Sequence, residues 1–192
     1  MKTALVVIDV QQSFQRRPYW REEDVPRFRA RLLELIEGCR ARGVPVLHVL
    51  HEDVGSGGPF DPANGFVREL EWLPRGPDAT FRKQTYSALA SGGLRDWLAA
   101  QGVKRLVVSG IRTEQCCETT TRHGCDLGLD VVYVAEATLT FPMTHASGRV
   151  FSPAEIRERT ELVLAGNFAR VATVADALAI LGAPAGAVQG AA

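Results

Sequence analysis

Thr3-Ala4-Leu5-Val6-Val7-Ile8-Asp9-Val10 is apolar at every position from Ala4 to Ile8. A short run of β-branched residues without polar alternation fits a strand covered on both faces, the pattern of a parallel sheet. Runs of the same kind recur at Val44 to His51, Thr80 to Arg82, Lys104 to Ser109, Val131 to Val134 and Ala169 to Thr173. Helical patterns lie between them. Asp24 to Arg42 places Val25, Phe28, Leu32, Leu35, Ile36 and Cys39 on one face, with Asp24 as its cap and Gly43 as its stop. Gly93 to Gln101 is built on Leu94, Trp97 and Leu98, and a further helix is expected from Glu114 to Leu127. Ser152-Pro153-Ala154-Glu155 reads as a capping box with proline at the first helical position, opening a helix to Leu164, and Val174 to Leu181 forms the last one.

Parallel neighbours need crossover connections, so strands alternating with helices imply a single-domain, doubly wound α/β fold: a six-stranded parallel sheet with helices on both faces. The domain is expected over residues 1–182, followed by a small-residue tail, 183–192, that should fray. In such sheets ligands bind beyond the carboxyl ends of the strands, where the strand order reverses. Functional residues should therefore sit at strand ends. The exception to the short connections is Glu52 to Asp78, a long Gly/Pro-containing segment of the kind that is usually functional in a compact domain.

Composition narrows the partners. Lys plus Arg and Asp plus Glu are equal at 22 each in 192 residues, which leaves no global field to attract nucleic acid or an anionic membrane. The first apolar run is too short for a signal peptide and is interrupted by Asp9, and no stretch approaches a membrane span. Four cysteines, at 39, 116, 117 and 125, lack any C-x-x-C spacing. Reduced thiols in a cytoplasmic protein are the expectation.

Three segments carry candidate chemistry. Asp9 closes the first strand; such an acid can simply cap a loop, but a carboxylate at a buried strand end is also partly desolvated and suited to proton transfer. The fourth strand leads into Gly110-Ile111-Arg112-Thr113-Glu114-Gln115-Cys116-Cys117-Glu118-Thr119-Thr120. With Thr113 as cap, Cys116 becomes the third helical residue, where unpaired N–H groups and the helix dipole would lower its thiol pKa and stabilise an oxyanion. Cys117, about 100° further round the helix, would pack against the sheet. Most free cysteines are small buried apolar residues, which is the plain alternative for both. Lys83 lies in Phe81-Arg82-Lys83-Gln84-Thr85-Tyr86-Ser87-Ala88-Leu89 and has no obvious role alone.

Taken in order, these segments resemble the isochorismatase-like cysteine hydrolases, a family that includes nicotinamidases, carbamoylsarcosine amidases and isochorismatases. Val-Val-Ile-Asp-Val-Gln, a Lys before Tyr-Ser-Ala-Leu, and Ser-Gly-Ile-Arg-Thr-Glu-Gln-Cys-Cys-Glu-Thr-Thr match the family's motifs, including Gly-x-x-Thr-x-x-Cys, and the likeness runs from Thr3 to Leu181. The resemblance implies a triad of Asp9, Lys83 and Cys116, a cis peptide between Ile111 and Arg112, and an oxyanion hole from the N–H groups of Arg112 and Cys116. It implies hydrolysis of a small amide, ureido or carbamoyl substrate without a cofactor, and a dimer or tetramer. Gln11, Phe14, His51, Trp72, Tyr86 and Phe141 are candidate pocket walls, with the loop from Glu52 to Asp78 forming or covering the pocket.

The chain departs from nicotinamidases in lacking their Asp-x-His metal run. It has His48, His51, Glu52 and Asp53, and two histidines three apart on a strand point to opposite faces. No metal is expected, and nicotinamide is disfavoured as substrate. Arg112 replaces a usually small residue; its guanidinium either binds a substrate carboxylate or pairs with Glu114 or Glu118. Rival readings are a non-catalytic binding member of the same fold, a vinyl-ether hydrolase of the isochorismatase type, an oxidoreductase, which lacks G-x-G-x-x-G after the first strand, and a serine hydrolase, which lacks G-x-S-x-G.

Overall fold

A computed structural model describes residues 1–182; the expected tail, 183–192, lies outside the described residues. Among the described residues, eight strands and five α-helices follow in chain order: β1 (Thr3–Ile8), α1 (Val25–Arg40), β2 (Val46–His51), β3 (Ala79–Lys83), α2 (Leu94–Ala100), β4 (Arg105–Ile111), α3 (Glu118–Asp126), β5 (Asp130–Leu139), β6 (Met143–Thr144), β7 (Val150–Phe151), α4 (Pro153–Leu164), β8 (Arg170–Ala172) and α5 (Val174–Leu181). Six of the strands form one sheet in the order β3-β2-β1-β4-β5-β8, paired in parallel throughout. The remaining two, β6 and β7, make a small antiparallel hairpin.

The alternation of side chains along the strands divides the core in two. Leu5, Val7, Val46, Val107 and Val132 face α1 and α5, meeting Phe28, Leu32, Leu35, Val174 and Ala177. Ala4, Val6, Ile8, Leu47, Val108 and Tyr133 face the opposite layer, meeting Leu94, Leu98, Cys117 and Leu164 from the α2, α3 and α4 side. The strand order turns back between β1 and β4, which are direct neighbours at the centre of the sheet. There Gly110 lies beside Ile8, and a Cβ on Gly110 would sit 2.0 Å from the Ile8 carbonyl oxygen; only glycine lets the two strands approach so closely.

Several boundaries differ from expectation for identifiable reasons. β1 ends at Ile8 because Asp9 turns the chain with φ +53°, a left-handed conformation uncommon for a non-glycine residue. Asp24 does not cap α1: it is itself helical, at the end of a 3-10 turn over Glu22–Asp24, and its side chain makes no cap bond. β5 runs on to Leu139 through an irregularity, since Val108 pairs with Tyr133 but Gly110 with Thr138. The interruption at Glu136 in the apolar pattern is a capping contact, Glu136 Oε1 accepting from the Val174 N–H at 2.6 Å. The capping box at Ser152 is present, and Thr173 with Asp176 forms a second one at α5.

The segment from Glu52 to Asp78 is fastened to the end of β1. Leu70 N–H donates to the Val10 carbonyl at 3.1 Å and Gln12 N–H to the Arg68 carbonyl at 2.9 Å. Val67, Leu70 and Leu73 are buried, and Asp61 accepts from the N–H groups of Gly57 and Ala63, which fixes its turn. The long connection is thus a packed wall beside the strand ends.

Candidate active site

Asp9, Lys83 and Cys116 come from three separate places in the chain and meet at the carboxyl ends of β1, β3 and β4. Lys83 ends β3, one strand beyond β2, and its Nζ reaches back across the sheet edge to Asp9 Oδ2 at 2.8 Å. The same Nζ lies 3.3 Å from Cys116 Sγ. Asp9 and Lys83 are sealed from solvent, while Cys116 keeps 6% exposure. Both Asp9 carboxylate oxygens are buried and neither has a hydrogen-bond partner, Oδ2 meeting Lys83 as an ion pair.

Cys116 is presented by a π turn, Thr113–Cys117, rather than by the first turn of an ordinary helix. Arg112 is the cap residue, in extended conformation, and the Arg112 carbonyl accepts from the N–H groups of Gln115 and Cys117 at 3.2 Å each. The expected cap at Thr113 is therefore wrong. The Thr113 hydroxyl instead meets Thr138 Oγ1 at 2.8 Å, and the Thr113 carbonyl accepts from Tyr133 Oη at 3.0 Å. These two contacts, both to β5, are what hold the turn, and π bulges of this kind are often found at functional sites. The peptide between Ile111 and Arg112 is cis.

The expected lowering of the Cys116 thiol pKa is also overturned. Burial, and then the neighbouring Asp9 carboxylate, push it up, outweighing the opposing Lys83 charge. Loss of a proton to water would leave an extra negative charge in a dry site. Transfer from Cys116 to Asp9 moves charge only within the site and avoids that penalty, so the arrangement suits an internal base better than a free thiolate. Burial acts to lower the Lys83 pKa, but the Asp9 and Cys116 charges prevail and raise it, keeping an ammonium.

The other expected residues separate. His51 lies against Lys83, its Nδ1 3.2 Å from the Lys83 Nζ. Gln11 is buried but engaged: it accepts from the His51 N–H at 2.7 Å and donates to the His51 carbonyl at 3.0 Å and to Ser13 Oγ at 2.8 Å. Phe14 packs edge-on to Phe60, which packs edge-on to His51, so both stand behind the imidazole. Trp72 packs against Phe28 and beneath the Arg29 guanidinium, so its ring is given to α1 rather than to Asp9, Lys83 and Cys116. Tyr86 is 62% exposed, and Phe141 is wholly buried between Tyr19 and Trp20.

Arg112 pairs with Glu114, Nη2 to Oε1 at 2.7 Å, and its guanidinium lies over Tyr19. Glu118 turns away to Arg122 and to Arg159 and Thr160 of α4. The pairing alternative thus describes Arg112. Thr85, absent from the expected set, takes part through its main-chain carbonyl, which accepts from Lys83 Nζ at 3.1 Å and leaves no trace in a side-chain pattern.

The metal centre of nicotinamidases does not fit these residues. His48 Nδ1 faces Glu69 at 3.5 Å, while His51 Nδ1 is turned to the Lys83 ammonium, a neighbour that repels a cation. Among the described residues no three His, Cys, Asp or Glu side chains cluster as metal ligands. No helix among them is long and apolar enough to cross a membrane.

The model of the isochorismatase domain matches residues 3–177. The chain is 26% identical over 173 residues to the uncharacterized isochorismatase family protein YrdC of Bacillus subtilis, covering 90% of this chain and 92% of that one. It is 32% identical over 156 residues to nicotinamidase 3 of Arabidopsis thaliana, covering 72% and 73%. A crystal structure of an isochorismatase-family protein from Chromobacterium violaceum superposes with a TM-score of 0.85 at 32% identity, covering 94% of each chain.

Proposed function

The chain belongs to the isochorismatase family, and on that premise we propose that it is a cysteine hydrolase that cleaves a small amide, ureido or carbamoyl substrate through a thioester on Cys116. The observation that carries this reading is the shared lysine: Lys83 Nζ is within hydrogen-bond reach of both Asp9 and Cys116 in a buried site.

As the Cys116 sulfur attacks the substrate carbonyl, its proton passes to Asp9 and the carbonyl electrons move to oxygen. Main-chain N–H groups of Arg112 and Cys116 hold that oxyanion. Collapse of the adduct expels the nitrogen, which takes the proton from Asp9. Water then attacks the thioester, Asp9 removes its proton, and the departing sulfur recovers it. Lys83 stays protonated throughout. Its charge stabilises the Asp9 carboxylate first and the developing thiolate next, without itself exchanging a proton.

Purified protein should release ammonia or an amine from at least one member of a panel of small amides, ureas and carbamoyl compounds, with nicotinamide among the poor substrates. Mass spectrometry of a rapidly quenched reaction should find the acyl group on the peptide containing Cys116. Turnover of an amide with the acyl adduct absent and Cys116→Ala fully active would overturn the covalent reading.

A further inference from the structure

The His51 imidazole touches the triad without belonging to it. Its place is dictated by the sheet: the Cα atoms of His51 and Lys83 are partners in the parallel register of β2 and β3. Neighbours so paired project to the same face. The His51 backbone is fixed on both sides by the Gln11 amide, at 2.7 Å and 3.0 Å. Phe60 meets the ring edge-on with centroids 5.6 Å apart, and is itself held by Phe14 at 5.0 Å. The ring is held by its surroundings at its backbone and at its side.

Lys83 Nζ has four neighbours within reach: Asp9 Oδ2 at 2.8 Å, the Thr85 carbonyl at 3.1 Å, His51 Nδ1 at 3.2 Å and Cys116 Sγ at 3.3 Å. An ammonium has three protons and no lone pair. Its hydrogen bonds run to the Thr85 carbonyl, to His51 Nδ1 and to Cys116 Sγ, while Asp9 Oδ2 meets it as the partner of an ion pair. Because lysine can only donate, His51 Nδ1 must be the bare nitrogen and the imidazole proton must sit on Nε2. The tautomer is set by the triad itself.

We infer that His51 is a positioning residue: as a neutral imidazole it fixes the Lys83 ammonium between Asp9 and Cys116, and protonation of His51 releases that hold. An imidazolium has no acceptor at Nδ1 and would set one cation against another. The charged groups around the ring are Lys83 on β3, Asp9 after β1 and Asp53 after β2, with Cys116 beyond Lys83. Burial and then the Lys83 charge hold the imidazole pKa below 6.5, against the opposing pull of Asp9, of Asp53 and of the Thr85 main chain. The neutral form therefore prevails at neutral pH, and the hold on Lys83 is lost as pH falls through a value below 6.5.

The inference rests on Cys116 as the nucleophile, but its test needs no substrate. The probe is iodoacetamide, and the readout is the rate of Cys116 carbamidomethylation between about pH 4.5 and 8, followed by peptide mass spectrometry. His51→Asn places an amide oxygen near the Nδ1 position and does not titrate. It should react within about threefold of the unaltered protein at about pH 7 and should lack the acid loss of rate that the unaltered protein shows. His51→Ala should react about tenfold more slowly or worse across the range while melting as a folded protein. The same acid limb in His51→Asn as in the unaltered protein would overturn the inference, as would an unchanged rate in a folded His51→Ala. With an amide that turns over, His51→Ala should lower kcat and leave KM nearly constant; a change in KM alone would make His51 a substrate contact instead. Failure of every amide in the panel would sink the hydrolase reading and leave the alkylation result standing.

Discussion

Lys83 Nζ lies 2.8 Å from Asp9 Oδ2, with both side chains wholly shielded from water. Two opposite charges taken out of solvent are tolerable only together, since each offsets the other's lost hydration. The pair is therefore a structural constraint as well as a part of the proposed chemistry.

Removing one partner should be costly to the fold. Lys83→Ala is expected to lose about 3–5 kcal/mol in urea denaturation, whereas Asp9→Asn combined with Lys83→Met should lose less than Lys83→Ala alone. Equal or greater loss in the double variant would show that burial of an unpaired charge is not the cause. The lysine pKa is raised in the fold, so its contribution is complete below pH 10.5 and disappears only as pH rises through the higher folded value.

Turnover should respond to the same residues more sharply than stability does. Asp9→Asn and Cys116→Ala are each expected to lower kcat by roughly a thousandfold or more, measured on protein shown to be folded by its melting curve. Residual activity within about tenfold of the unaltered enzyme in Cys116→Ala would exclude a covalent path.

Metal removal should have no effect. The Lys83 ammonium beside His51 and the Glu69 partner of His48 leave no convergent pair of histidines at the end of β2. Dialysis against a strong chelator should leave turnover unchanged, and elemental analysis should find no stoichiometric zinc or iron. Activity lost on chelation and restored by one particular metal would contradict this.

The adjacent cysteines should separate under alkylation. Burial raises the thiol pKa of both, but Cys116 keeps 6% exposure beside Asp9, its proposed base, while Cys117 is fully buried against the sheet. Iodoacetamide should modify Cys116 ahead of Cys39 and Cys117, which are fully buried, while the partly exposed Cys125 is open to the reagent as well. Cys117→Ala should remain active with a stability loss of about 1 kcal/mol. A dead Cys117→Ala beside a working Cys116→Ala would reverse the assignment.

Much of the frame is legible in one dimension because its determinants are local. No polar residue interrupts the run from Ala4 to Ile8, and that continuity alone marks a strand covered on both faces. Ser152 and Glu155 announce the start of α4 because a capping box is closed within four consecutive residues. Asp9, Lys83 and Cys116 can be singled out by motif and order, and the fold brings them within reach of one another. The pocket walls fared unevenly for the opposite reason. Trp72 and Phe141 are aromatic residues near the expected strand ends, but which way such a ring packs depends on partners such as Phe28 and Tyr19 that lie far off in sequence.

The sequence by itself determined the doubly wound α/β class, the strand ends as the place of chemistry and the choice of Asp9, Lys83 and Cys116 as candidates, since periodicity, turn chemistry and motif order are properties of the chain read in line. The tertiary structure decided what state those residues are in. The cap at Arg112 follows from Thr113 being claimed by Thr138 and Tyr133 of β5. The upward push on the Cys116 thiol follows from burial and the Asp9 charge outweighing Lys83, and the 3.2 Å approach of His51 to Lys83 from their register on β2 and β3. Each depends on distances across the sheet, and charge and hydrogen bonding act through space.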